Sequence, residues 1–95
     1  MFEWDERKAV INCVKHNVSF EEAATVFADQ TAFDVDDRMH SHYEVRRLRL
    51  GISLAGRVLT VAYTVRRVGN GETIRIISAR PENREEELGY RGIQD

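Results

Sequence analysis

An α+β domain with two amino-terminal helices, a four-stranded antiparallel meander and a closing helix is the architecture this sequence predicts. Three observations carry that prediction. Helix-capping signals crowd the first thirty or so residues, and apolar–polar alternation takes over from Thr31. Short turn sequences, Ala55-Gly56 and Val68-Gly69-Asn70-Gly71, then separate the alternating runs, leaving no room for crossover helices. At 95 residues the chain reads as a single domain, 1–95. A domain of this size buries only about 60–65% of its unfolded surface, so a bound partner would add to its stability.

The elements follow in order. Phe2-Glu3-Trp4 reads as a short edge strand or extended arm. Asp5 is a good N-cap and Glu6 suits the first-turn dipole, starting a helix that runs to about His16. Ala9, Val10, Cys13 and Val14 fall at core spacing on it. Lys15 and His16 complement its carboxyl end, and Asn17 suits a left-handed cap. Ser19-Phe20-Glu21-Glu22 is a capping box, and the second helix it opens places Phe20, Ala23, Ala24 and Phe27 on one face. Thr31 to Val35 reads as a modest strand, and Asp36 to His42 as a polar loop. Val45 to Ser53 alternates, with Leu48, Leu50 and Ile52 on one side and Arg47, Arg49 and Gly51 on the other. Arg57 to Arg67 is a long strand rich in valine, threonine and tyrosine, and Glu72 to Arg80 is the last strand after a hairpin loop. Pro81 suits the first position of a final helix over Glu82 to Tyr90, with Arg91 to Asp95 as a frayed tail.

Composition narrows the class. Hydrophobic residues make up 42% of the chain, enough for a folded domain. The lone Cys13 fits a reducing compartment. No stretch has signal-peptide character or approaches the ~20 apolar residues of a membrane span, so the expected setting is the cytoplasm, away from membranes. The net charge of −2 hides an asymmetry. Residues 1–43 carry four basic and nine acidic side chains. Between Val45 and Arg80 stand eight arginines and one acid, Glu72, a net of +7 over 36 residues. Clustered arginine suits bidentate phosphate contacts and marks a nucleic-acid binder. The competing reading is that these arginines solvate the outer face of a sheet.

Three stretches carry a family resemblance. The first is Phe2-Glu3-Trp4-Asp5 with Lys8, Asn12 and Lys15-His16-Asn17-Val18-Ser19-Phe20-Glu21, where Asn17 takes the place of a usual glycine. The second is Ala23-Ala24-Thr25-Val26-Phe27-Ala28-Asp29. The third is Thr64-Val65-Arg66 with Ile74-Arg75-Ile76-Ile77-Ser78-Ala79-Arg80, followed by Arg84, Glu86 and Tyr90. Together these stretches resemble the BrnT family of toxins, and the resemblance implies a RelE-like fold, a ribonuclease active without a metal or other cofactor, and arrest of translation and growth when the toxin is unrestrained. It also implies a neutralising ribbon-helix-helix antitoxin, forming a heterotetramer that meets operator DNA only through the antitoxin and represses its own operon. One departure stands out. Where the family has a strongly basic last helix, this chain has Pro81-Glu82-Asn83-Arg84-Glu85-Glu86-Glu87. That run favours an alternative, a weakened toxin serving mainly as an antitoxin-binding co-repressor module. A free-standing DNA-binding protein is disfavoured, because no helix carries basic base-reading side chains.

Metal-free RNA cleavage requires deprotonation of the 2′-hydroxyl, stabilisation of the phosphorane and protonation of the leaving 5′-oxygen. Arg80 and then Arg66 are the first candidates for the phosphorane, each with a sheet-surface salt bridge as its competing role. Arg84 joins them from the last helix. Glu86 is a candidate base or arginine-orienting group, against a reading as part of a solvated acidic face. Tyr90 is a candidate for stacking or proton donation, against packing at a helix end. His16 suits acid–base work, against capping helix carbonyls, and Lys15 suits a leaving-group or phosphate contact. Arg47, Arg49 and Arg75 complete the expected RNA-binding set. His40 and His42 beside Asp36 and Asp37 form a metal-like pair without a third ligand, so no metal is expected and a loop is the default. Trp4 either stacks on RNA or anchors the first strand on the core.

Overall fold

Asp5 starts the first helix as its side chain dictates, its carboxylate accepting from the N–H groups of Arg7 and Lys8 at 2.8 and 3.1 Å. The computed structural model describes residues 1–40 and 44–82. Helix α1 spans Glu6–His16 and ends at Asn17, whose φ of 56° is the left-handed cap expected of asparagine. Ser19 then accepts from the Glu22 N–H at 3.0 Å and opens α2, Phe20–Thr25, which tightens into a 3₁₀ turn over Val26–Ala28.

Five strands form, the four of the alternating runs and the short amino-terminal one. They are β1 (Phe2–Glu3), β2 (Phe33–Asp36), β3 (Arg47–Ile52), β4 (Val58–Val68) and β5 (Gly71–Pro81). β2 to β5 form an antiparallel meander, and the sheet order is β1-β5-β4-β3-β2. β1 pairs parallel with β5, Phe2 opposite Ile74, which makes the sheet mixed. Gly69, at φ 61°, carries the tight β4–β5 turn.

Two expectations need correction. Pro81 does not begin a helix. It ends β5 opposite Leu59, and Glu82 continues the ladder by donating its N–H to the Val58 carbonyl at 2.9 Å. Because ladder bonds alternate along an antiparallel pair, the nitrogen of Pro81 faces away from β4, where a missing N–H costs nothing. The expected final helix, beyond Glu82, lies outside the described residues. The second correction concerns α1. Val10, Cys13 and Val14 are exposed, and the helix buries Asn12 instead.

The core lies between α2 and one face of the sheet. Val18, Phe20, Ala23 and Val26 pack against Leu59, Val61, Ile76 and Ala79. Trp4 anchors on this core, edge-on to Phe20 at 5.9 Å, and Phe27 stacks edge-on against Tyr63 at 4.9 Å. Gly51 allows the 3₁₀ turn to sit close on β3: a Cβ there would lie 2.7 Å from the Ala32 Cβ and 2.9 Å from Val26 Cγ1.

Candidate active-site groove

Strand alternation puts Leu59 and Val61 under α2 and therefore turns Thr60, Ala62 and Thr64 to the opposite face. On that face Leu48, Thr60, Ala62 and Ser78 floor a groove of about 330 Å³. His16 from the end of α1 and Arg80 from β5 border it. Arg46 and the Asp37–His40 turn close it from the segment that precedes β3. An adjoining hollow of about 260 Å³ shares His40 and Arg46 and adds Lys8, Arg75, Thr64 and Glu44. A third, along α1, runs past Lys8, Asn12, Lys15, His16, Ile77 and Ser78.

Asn12 fixes this geometry. Its amide nitrogen donates to the carbonyls of Ala79 at 2.8 Å and Val18 at 3.0 Å, and its oxygen accepts from the Ala79 N–H at 3.1 Å. Ala79 turns its backbone groups away from β4, so the Asn12 amide stands where a further strand would pair. The β4–β5 register slips here, with Ile77 the extra residue between the Ala62–Ser78 and Tyr63–Ile76 pairs. The bulge turns Ile77 and Ser78 together toward α1.

The chemistry of the groove is cationic, with polar donors on its floor. The hydroxyls of Thr60 and Thr64 are buried without a hydrogen-bond partner among the described residues. Asp37 accepts from His40 Nδ1 at 3.0 and 3.1 Å, and the Asp37 N–H is itself held by the Arg46 carbonyl at 2.8 Å. Arg80 Nη1 lies 3.9 Å from the buried Glu82 carboxylate.

The candidates read from the sequence divide by face. Arg80, His16, Lys15 and Arg75 stand together around the groove and its adjoining hollows. Arg66 lies on the same face but opposite Thr73, six positions along β4 from Thr60, the partner of Arg80. That separates the two guanidinium-bearing positions by roughly 20 Å. Arg66 faces Glu3 at 3.8 Å and Glu44 at 4.0 Å, and Glu3 also meets Arg75 at 3.5 Å. Arg47 and Arg49 are not in the groove. Their odd positions on β3 send them to the helix-covered face, paired with Asp36 at 3.1 Å and Asp34 at 2.8 Å. Arg49 also lies 5.1 Å over the Phe27 ring. On that same face burial pushes the Tyr63 phenol up, and its hydroxyl donates to Asp34 at 2.6 Å. Arg84, Glu86, Tyr90 and His42 lie outside the described residues. Among the described residues no cluster of three histidine, cysteine or acidic side chains could hold a metal.

Sequence reasoning missed Arg46, the Asp37–His40 pair and the role of Asn12. One signal was present: small or polar Thr60, Ala62 and Thr64 interrupt an otherwise apolar strand at period two.

Comparison with known proteins adds an independent line. Residues 4–86 match the family described as the ribonuclease toxin, BrnT, of type II toxin–antitoxin systems. No curated protein matches the chain. Its fold is similar to the crystal structure of the Brucella abortus ribonuclease toxin BrnT, with a TM-score of 0.63 and 21% identity over 88% of this chain and 99% of that one.

Proposed function

This chain belongs to the BrnT family of ribonuclease toxins of type II toxin–antitoxin systems, and from that premise we propose that it cleaves RNA in the groove between α1 and the carboxyl end of β5, without a metal. The observation that carries this reading is the convergence of Arg80, Arg46 and His16 on one concave patch floored by the buried Thr60 hydroxyl. Arg80 stabilises the phosphorane, and Lys8, Lys15 and Arg75 in the adjoining hollows hold neighbouring phosphates. The reaction is transesterification, in which the 2′-oxygen attacks phosphorus and leaves a 2′,3′-cyclic phosphate and a 5′-hydroxyl. His16 is placed to exchange a proton with the reacting oxygens. Unrestrained, the protein blocks translation and growth.

The partner is an antitoxin of the ribbon-helix-helix class that covers the cationic groove, and the pair, as a heterotetramer, represses its own operon. Charge complementarity supports this, since a basic groove is most simply silenced by a segment seated on it.

The test is tightly controlled induction of this chain alone, against Arg80→Ala expressed to the same level, with growth and total RNA followed in both. Arrest with RNA loss in the wild type, and a drop of roughly 10²–10³-fold in cleavage for the variant, is the expected outcome. Arrest that persists undiminished in Arg80→Ala would sink the assignment of Arg80. Normal growth and intact RNA with soluble, folded wild-type protein would instead favour the reading as an antitoxin-binding module, toward which the acidic run Glu85-Glu86-Glu87 points.

A further inference from the structure

The short 3₁₀ turn Arg38–His40 carries an arrangement that the sequence reading assigned to a loop. Asp37 and His40 lie three residues apart, one turn of this segment, and the Asp37 carboxylate takes the His40 Nδ1 at 3.0 Å. The carboxylate is the shielded member, with its side chain 14% exposed against 61% for the imidazole. Asp37 is fixed in turn by the bond from its N–H to the Arg46 carbonyl. An ionised carboxylate only accepts hydrogen bonds, so the proton of the neutral imidazole resides on Nδ1. Nε2 then carries the lone pair, on a ring that borders both the main groove and the hollow beside it.

We infer that His40, oriented by Asp37, is the general base of the cleavage reaction. The inference rests on the ribonuclease reading above. In the balanced step, Nε2 of His40 takes the proton of the 2′-hydroxyl as the 2′-oxygen bonds to phosphorus. The bond from phosphorus to the 5′-oxygen breaks, and that oxygen receives a proton from the imidazolium of His16 on α1. Asp37 stabilises the imidazolium formed on His40, as a carboxylate behind a catalytic histidine does in general. Arg46 and Arg80 border the same groove and balance the charge of the phosphorane. His40 is thus a catalytic residue and Asp37 a positioning residue.

The charged groups around His40 set what a pH profile can report. Asp37 comes from its own turn, Glu44 and Arg46 from the segment before β3, His16 from α1 and Arg80 from β5. Lys8 and Arg75 stand across the adjoining hollow. A general base and a general acid on two separate elements give a two-limbed rate profile.

The experiment is cleavage of a single-stranded RNA oligonucleotide by the purified full chain, as wild type, His40→Gln, His40→Ala and Asp37→Asn, over a pH series, with melting curves for each. His40→Gln is expected to lower kcat by about 10²-fold or more, with KM little changed, a wild-type melting curve and loss of the acidic limb of the profile. Added imidazole should restore part of the activity of His40→Ala, which a purely structural histidine would not permit. Asp37→Asn should lower kcat by roughly tenfold or more while keeping the fold. Wild-type rates and an intact acidic limb in His40→Gln would overturn the assignment while leaving the ribonuclease reading in place. RNA left uncut by the wild-type protein would overturn both.

Discussion

On the helix-covered face of the sheet Arg49 and Arg57 are held in the fabric of the fold, whereas on the opposite face Arg46, Arg75 and Arg80 gather at a groove and its margins. The difference is not in the residue but in strand parity and in which acids stand across from it. β2 presents Asp34 and Asp36 directly opposite Arg49 and Arg47, and cross-strand pairs of opposite charge are stabilising. Glu22 of α2 takes Arg57 in a two-pronged pair reinforced by Ser53 and by the Asn17 carbonyl. The acids that neutralise arginine thus come from the acidic amino-terminal half of the chain. On the opposite face the acids stand farther off: Glu3 lies 3.5 Å from Arg75 and 3.8 Å from Arg66, and Glu82 lies 3.9 Å from Arg80.

Substitutions can break that contrast. The largest structural effect is expected at the seam between the two regions, from Asn12→Ala. It removes three hydrogen bonds and leaves the Ala79 backbone buried and unpaired, a loss of about 2–3 kcal/mol. Thermal melting should register a fall of roughly 10–20 °C, and RNA cleavage should drop with it because α1 no longer holds His16 against β5. A melting curve like that of the wild type would mean that α1 is positioned by something other than this amide.

A smaller loss, about 1 kcal/mol, is expected of Arg57→Ala, because the pair is partly exposed and solvent screens it. Here the pH dependence is the sharper probe. The Arg57 guanidinium holds the Glu22 carboxyl below its ordinary value of 4.5, so the unfolded state binds that proton more readily than the folded state. The stabilisation is fully present above the ordinary value and is lost as the pH falls through the lower folded value. Chemical denaturation of the wild type and Glu22→Gln should therefore differ at neutral pH and converge in acid, and a gap that widened in acid would contradict the pairing.

The smallest effect is expected of Arg47→Ala. Its partner Asp36 is half exposed and solvent screens the pair, so the melting curve should scarcely move. Cleavage should stay within about twofold of the wild type, since Arg47 stands on the far side of the sheet. A loss as deep as that of Arg80→Ala would abolish the distinction between the two faces.

Much of this fold could be read from local chemistry. The caps at Asp5, Asn17 and Ser19 are written in single residues with one conformational task each, and the meander follows from alternation and turns. What could not be read depends on long-range partners. The parallel pairing of β1 with β5 joins positions more than seventy residues apart, and nothing in Phe2-Glu3 announces it. Pro81 carries a helix-start preference that strand pairing overrode by presenting its nitrogen to the outer edge. Charge clustering marked the arginine-rich half correctly as basic, but it could not assign faces, because Arg46 and Arg47 are adjacent in sequence and differ only in parity. The candidate site was accordingly half legible. Arg80, His16, Lys15 and Arg75 were found by residue type and pattern, while His40 and Asp37 sat in a stretch whose polarity reads as a loop.

The bond from Asn12 to Ala79 spans 67 residues, and that span has a temporal meaning. One wall of the groove is complete once α1 has formed, yet its counterpart belongs to the last strand of the meander, and a single amide sets the two in register. A slip of one helical turn would displace His16 by about 5.4 Å, too far for a shared phosphate. The groove therefore cannot exist piecemeal. A chain cut short before β5 carries His16 without Arg80 and cannot assemble the groove. Under the proposed function, this ties RNA cleavage to completion of the sheet.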